Sequence, residues 1–542
     1  MKKRIRLFLC LALCLALTVP ALAWEGDANL NPAGELPICK EKVTLTIGVA
    51  GNPNVVDFET NRMTQMLEED GNFELNFVTF TVKEMIEKLN VMVQTGGDDL
   101  PDVLLFGQNT RLNNTTLYNW ALNGVIVPIT DYVKNSAHFF TESMEASGTN
   151  LIPMITMPDG EIYALPAYAR SIGNEYQHKN WVYQPWLDKL GLTAPKNAAE
   201  LYNVLKAFKE QDPNGNGKAD EIPMISYAAG VKYMMRSLLS MFCDVGNYSD
   251  YVAVKDGKLY PVYITEEYRE GLRYIHKLVE EDLLSVLSFT QDEAQFKALM
   301  AQETTVVGMS VRPSITTALP ASDPRRAEYL GVAPFAMADG TVITPYTPTN
   351  ANPAFVITKN CKNPEAAFRL GDLLCSEKYT VMTRWGEAGV DWVKPEEGSI
   401  AMYASMGYEP YLKETGNISW GSPQNQCWFC EGPYVRGYAI PAGMVWNGSQ
   451  LDSEYRIAQI MPEYVDKGPA EYCANLIYTE EEDERIAEPL MTINSYVTEC
   501  LAQFVTGAMD IDTEWDAYVR ELQNNDLDTV IQVMQGAYDR TR

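Results

Sequence analysis

The chain has 542 residues, with 43 Lys and Arg against 72 Asp and Glu, a formal net charge of −29, and 30 Tyr and 10 Trp. At about one domain per 100–200 residues, this length predicts about two to four domains. So negative a surface argues against nucleic acid and anionic membranes as partners and makes a polyanionic ligand a poor first choice. The aromatic content exceeds what packing alone tends to require, so some rings are expected to face a ligand.

The amino terminus has the form of a secretory signal. Lys2, Lys3, Arg4 and Arg6 precede an apolar run from Leu7 to Leu17, and Ala21-Leu22-Ala23 offers a small-residue cleavage site. Residues 1–23 are therefore expected to be removed, leaving a mature chain that begins near Trp24 in an extracytoplasmic compartment. These residues contain four cations and no acid, so their loss takes the formal charge from −29 to −33. Cys10 and Cys14 each follow Leu where a lipoprotein signal has a small residue, which disfavours a lipid anchor. Eight cysteines remain after cleavage, and the pair Cys427 and Cys430 reads as a local disulfide or as two buried thiols. A zinc site would need two more ligands from His138, His178 and His276, and no second pair of that spacing exists.

After a leader over 24–42, Val43, Leu45, Ile47 and Val49 alternate with small or polar residues and predict a strand. Met85, Ile86, Leu89, Met92 and Val93 predict a helix that stops at Gly96-Gly97, and Leu100 to Phe106 reads as a second, buried strand. Strand, helix and strand in this order predict parallel pairing, with ligands at the carboxyl ends of the strands. Gln108 and Asn109 are candidate contacts on that ground, or an ordinary polar loop. Tyr168 and Arg170 follow the segment Gly160 to Pro166 and join the candidates. Trp181 to Leu192 reads as a strand breaking into a short helix, and Asn197, with Glu200 three residues on, caps a helix whose buried face is Leu201, Val204, Leu205 and Phe208.

That helix ends in Asp212-Pro213-Asn214-Gly215-Asn216-Gly217-Lys218-Ala219-Asp220-Glu221. Oxygen-bearing side chains at Asp212, Asn214, Asn216 and Asp220 fill positions 1, 3, 5 and 9 of an EF-hand-like calcium loop, with Gly217 at the tight turn. Position 12 is Pro223, so Glu221 would supply the remaining carboxylate and the Lys218 carbonyl would serve at position 7. The alternative is a polar turn built from the same residue types. Because it ties a helix end to the next strand, such a site would hold structure rather than perform chemistry.

Residues Trp186 to Pro223 resemble family 1 extracellular solute-binding proteins of carbohydrate ABC transporters, in the long branch akin to lipoprotein LipO and the alginate-binding proteins. The segment Asn352 to Ala367 resembles the family too, with Asn363 expected as helix cap and Pro364 at the first helical position, as does Arg384-Trp385-Gly386-Glu387-Ala388-Gly389-Val390-Asp391-Trp392. The likeness extends over most of the mature chain. It implies an α/β fold of the type II periplasmic-binding-protein kind, with two hinged lobes, an interlobe cleft and a permease as partner. It also implies that Asp212, Asn214, Asn216, the Lys218 carbonyl, Asp220 and Glu221 bind calcium, and that Tyr183 stacks on sugar and Asn109 is a polar sugar ligand. Trp385 is a further candidate contact.

Lobe 1 is expected over 43–180 with 340–430 returning to it, and lobe 2 over 181–339 with 431–542 returning. Within lobe 2, residues 265–284 read as a helix with His276 beside its apolar face, Thr305 to Val311 as a strand that places Arg312 and Ser314 at its end, and Asp512 to Met534 as a helix. Trp420, Trp428, Tyr434 and Trp446 line a cleft or pack between lobes. The expectation is a monomeric receptor that closes on a carbohydrate and delivers it to the permease. A secreted glycoside hydrolase or lyase and a cell-surface glycan adhesin are the alternatives; no nucleophile elbow, zinc-protease motif or phosphate loop occurs.

Overall fold

The computed structural model describes residues 26–246, 251–419, 421–473 and 476–541. The expected signal segment, the start near Trp24 and Trp420 lie outside the described residues.

In chain order the strands are β1 (Val43–Ala50), β2 (Phe73–Phe80), β3 (Val103–Leu105), β4 (Ala164–Ala169), β5 (Asn180–Tyr183), β6 (Ile222–Met224), the hairpin β7 (Val252–Lys255) and β8 (Lys258–Pro261), β9 (Val307–Val311), β10 (Tyr329–Val332), β11 (Asn352–Ile357), the small pair β12 (Trp392–Val393) and β13 (Lys413–Glu414), and β14 (Tyr434–Arg436). Six of them form one sheet in the order β14-β4-β11-β3-β1-β2, and four form another, β10-β5-β9-β6.

The first sheet is buried on both faces, which is why β1 turns from alternating to continuously apolar or small along its length. Leu45, Ile47, Val49, Val103 and Leu105 pack on one side against Met63 and Leu67 and against the helix Pro364–Leu374. Leu104, Phe106 and Val356 pack on the other against Met85, Leu89, Val93 and Trp120. Each fully buried Leu, Ile or Phe contributes about 1.5–3 kcal/mol relative to exposure. The helix over Met85–Gln94 and the parallel pairing of β1 with β3 agree with the sequence; β2, which also pairs in parallel with β1, drew no expectation, and β3 is shorter than its apolar run.

In the second sheet Trp186, Leu205, Phe208 and Met309 belong to a core completed by the helices Glu266–Glu280, Glu480–Thr506, Trp515–Asn524 and Leu527–Arg540. The carboxyl-terminal helical run breaks at Asp526, whose φ is +59°, so it is two helices rather than one. Asn197 caps Ala198–Glu210 by accepting from the Glu200 amide at 3.0 Å, whereas Asn363 makes no side-chain cap bond and Pro364 alone sets that helix start.

The leader is packed: Leu30, Ile38 and Cys39 are buried in the first core because they cover its edge beside Phe73. Two expected boundaries differ. The return to lobe 2 falls after Arg436 instead of at 431, since β14 pairs in parallel with β4. Within the stretch assigned to lobe 1, Met402 and Tyr403 pack with Trp181 and Ile457 of the second lobe, and the Tyr403 hydroxyl donates to Glu454 at 2.6 Å.

In the first sheet all strands but β11 run one way, and in the second all but β5 do. Three crossings, 170–179, 333–351 and 437–452, leave and enter at those carboxyl edges. The edges therefore face the hinge, where open α/β sheets bind ligands.

Candidate functional site

The floor of the cleft is organised around Glu175, a residue that no sequence signal singled out. Ser171 caps the short turn Ile172–Glu175 by accepting from the Asn174 amide, and this places the Glu175 side chain inward, 1% exposed. Arg170 donates to it through Nε and Nη2, both at 3.0 Å. Thr349 Oγ1 donates at 2.9 Å, the Tyr346 hydroxyl at 3.1 Å, and the Tyr438 hydroxyl completes the set. These partners come from all three crossings, so one carboxylate joins the whole hinge. The Arg170 guanidinium also lies 3.9 Å above the Tyr438 ring. Burial opposes the Arg170 charge, yet the hydrogen bonds to Glu175 outweigh it and raise its pKa. Nearby, Lys179 is fully buried with Nζ donating to the Gly173 carbonyl at 2.7 Å, and desolvation pushes its pKa down to about 7.

Beside this hub lies a pocket of about 330 Å³ lined by Tyr168, Arg170, Tyr346, Asn350, Asn114 and Tyr472, among others. Tyr168 is held by its hydroxyl, 3.1 Å from Thr149 Oγ1. Tyr168 and Arg170 thus stand together at the end of β4 as the carboxyl-edge rule requires.

The wall on the first lobe is the pair of loops after β1 and β3. Asn52 Nδ2 donates to Glu431 Oε1 at 3.1 Å, and Asn109 donates to the same oxygen from its amide at 3.3 Å and from Nδ2 at 3.1 Å. Glu431 Oε2 is buried without a partner, and desolvation holds the carboxyl up to about 7. Gly107 is required here: a Cβ would stand 2.2 Å from the Cys430 carbonyl oxygen. Gln108 is exposed on this rim, its amide bonded to that carbonyl at 3.2 Å.

On the second lobe Arg312 follows β9 with its guanidinium 5.5 Å from the Tyr227 ring and 5.1 Å from the Phe296 ring. Its Nη2 donates to Thr317 at 3.0 Å and sits 3.5 Å from Glu293, while Nε and Nη1 are buried without partners. Ser314 is committed inward, sharing hydroxyl contacts of 2.8 and 2.9 Å with Thr316 and Ser453.

Two expected contacts lie elsewhere. Tyr183 stands at the far end of β5, paired with Tyr329, because β5 runs against its neighbours and so turns its beginning, not its end, toward the hinge. Its ring packs on Trp186 and Tyr329 and its hydroxyl donates to Glu328 at 2.8 Å. Trp385 is 5% exposed in a satellite core with Val381 and Leu412, covered by the Arg436 guanidinium at 5.1 Å. The apolar face of its helix draws it inward.

The acidic loop is closed on itself by hydrogen bonds. Asp212 accepts from the amides of Gly215, Asn216 and Gly217 at 2.9–3.1 Å, Asn214 from Asn216 at 2.9 Å, and Asn216 from Lys218 at 2.8 Å. Asp220 accepts from the side-chain amides of Asn214 and Asn216, and Glu221 Oε1 is buried with no partner. Among the described residues no group of three or more His, Cys, Asp or Glu gathers as a metal cage, so any cation here would rely on amide and carbonyl oxygens as well. An all-oxygen set with one orphaned buried carboxylate oxygen fits a hard cation.

Cys427 and Cys430 are both buried free thiols; burial pushes that of Cys427 up to about 12, which leaves it inert. His276 lies beside its helix face, with Nδ1 3.2 Å from the Val505 carbonyl oxygen. Among the described residues no helix is long and apolar enough to cross a membrane.

Two α/β lobes joined by three crossings, with a polar, tyrosine-lined pocket at the junction, define a hinged solute-binding protein. The chain belongs to the bacterial extracellular solute-binding protein family, whose model matches residues 62–387. It is 27% identical over 556 aligned residues to the fructooligosaccharide ABC transporter substrate-binding protein FusA of Streptococcus pneumoniae serotype 4, covering 98% of this chain and 97% of that one. The fold matches FusA in complex with kestose at a TM-score of 0.67 and 24% identity, over 92% of this chain and 99% of FusA. It matches an extracellular solute-binding protein from Bifidobacterium longum subsp. infantis at 0.72 and 21%, over 95% of this chain and 100% of that one. FusA has also been solved as an EF-hand mutant with fructo-nystose.

Proposed function

We propose that the protein is an extracytoplasmic receptor that captures an oligosaccharide between its lobes and delivers it, as a monomer, to the permease of an ABC transporter. The observation that carries this reading is similarity along essentially the whole chain to a fructooligosaccharide ABC transporter substrate-binding protein. The site chemistry supports it. Tyrosine rings offer apolar faces to a sugar ring, while Arg170, Asn114, Asn350 and the Asn109 rim offer fixed polar groups for its hydroxyls. The lobes turn about the Glu175 hub, and the closed form is what the permease recognises.

Calcium has a structural role in this reading. Asp212, Asn214, Asn216, the Lys218 carbonyl, Asp220 and Glu221 would hold it, and the orphaned Glu221 oxygen supports that assignment. The ion would supply a divalent positive centre binding the end of helix Ala198–Glu210 to β6. The carbohydrate is bound and released without covalent change.

Isothermal calorimetry against oligosaccharides including kestose, with X-ray scattering of free and saturated protein, tests the receptor role. Saturable binding with a smaller radius of gyration and unchanged sugar on chromatography is the expected result. Product formation would assign an enzyme, and binding without compaction an adhesin.

A further inference from the structure

The pocket at the hinge carries a charge argument about its ligand. Asn114, 8% exposed at the start of helix Asn114–Leu122, and Asn350, on the second crossing, line it from opposite strands of the chain. The Oδ1 atom of each is buried and unpaired. Such acceptors are costly to leave unmet, so they call for a ligand that brings hydrogens. Among the described residues lining the pocket, the one cation is Arg170, and it is already neutralised by its two hydrogen bonds to Glu175. Arg312, on the second lobe's edge, is not among the lining residues and has Glu293 3.5 Å away. A carboxylate or sulfate placed here would bring no hydrogen to those two amide oxygens and would find no unpaired cation among the described lining residues. A sugar hydroxyl gives its hydrogen to an amide oxygen and still accepts through its own oxygen.

Resting on the receptor reading above, we propose that this pocket takes an uncharged saccharide unit and rejects uronate and sulfated ones, with Asn114 and Asn350 as the residues that set that choice.

The test is calorimetry of the full chain with 1-kestose, trigalacturonate and the carboxyl-reduced form of trigalacturonate, each at low and high salt. A neutral probe is expected to bind at least 100-fold more tightly than trigalacturonate at both salt levels. Asn114→Leu and Asn350→Leu are each expected to weaken neutral-sugar binding at least tenfold while the ligand-free melting temperature holds or rises, since each removes an unpaired buried acceptor. Trigalacturonate binding as tightly as the neutral probes overturns the proposal and leaves the receptor reading standing. Neutral binding that survives both substitutions places the sugar elsewhere and also overturns it. Failure of all three probes and of a wider saccharide panel overturns the receptor reading itself. The matched probes need no variant, so a substitution that fails to fold leaves the comparison decisive.

Discussion

Arg170 holds Glu175 through two parallel hydrogen bonds of 3.0 Å, and through that carboxylate it is linked to Tyr346, Thr349 and Tyr438 on the other two crossings. A hinge fastened at one buried point is free to rotate about it while resisting separation of its strands. The same pairing removes the positive charge from the pocket next to it.

Removing Glu175 should therefore be felt in both stability and binding. Glu175→Ala leaves Arg170 half-buried without its counterion and three hydroxyl groups without their acceptor, and is expected to cost about 3–5 kcal/mol. Glu175→Gln, which keeps the shape and one acceptor, is expected to lose less. Urea unfolding of the two variants measures this; an alanine variant within about 0.5 kcal/mol of the parent would show that the hub is not what fastens the hinge.

The loop at Asp212 to Glu221 predicts sensitivity to chelation. A ligand present at about 100 times its dissociation constant stabilises the folded state by about 2.7 kcal/mol, so EGTA is expected to lower the melting temperature by several degrees. Asp212→Ala together with Glu221→Ala should abolish the response. Burial, and then the neighbouring Asp212 and Asp220 charges, raise the pKa of Glu221, so protons compete with the ion for this carboxylate and its affinity should fall as pH falls. A melting curve unmoved by thorough chelation would falsify the calcium assignment.

Glu431 predicts a pH dependence of the opposite sense from a salt-bridged acid. Its folded pKa is raised from 4.5 to about 7, so between those values the folded state keeps a proton that the unfolded chain has released. Stability is then full below pH 4.5, declines as pH rises through the window, and levels off above 7, by about 3 kcal/mol in all. Glu431→Gln should flatten that segment of the stability curve; the same slope in parent and variant would move the proton elsewhere.

Tyr183 separates packing from recognition. Its contacts are with Trp186, Tyr329 and Glu328 at the far edge of the second sheet. Tyr183→Ala is expected to lower stability by about 2 kcal/mol while leaving saccharide affinity unchanged. A large loss of affinity with little loss of stability would return this tyrosine to the cleft.

What the sequence by itself determined is what short stretches encode. The alternation of Val43 to Val49 specifies β1, Asn197 and the apolar face after it specify the helix Ala198–Glu210, and the six residues of the acidic loop sit within one run of ten. The family likeness rests on such local runs too, and so the two-lobed fold was legible, as was the place of Asn109 just after a buried strand. Tertiary structure alone decided the rest. Glu175 meets Tyr346 across 171 positions and Tyr438 across 263, and Asn52 meets Glu431 across 379. Partners so distant leave no periodic trace. Strand direction is likewise set by pairing, not by the residues of the strand, which is why a tyrosine at the end of β5 read as a cleft residue and stands at the opposite edge.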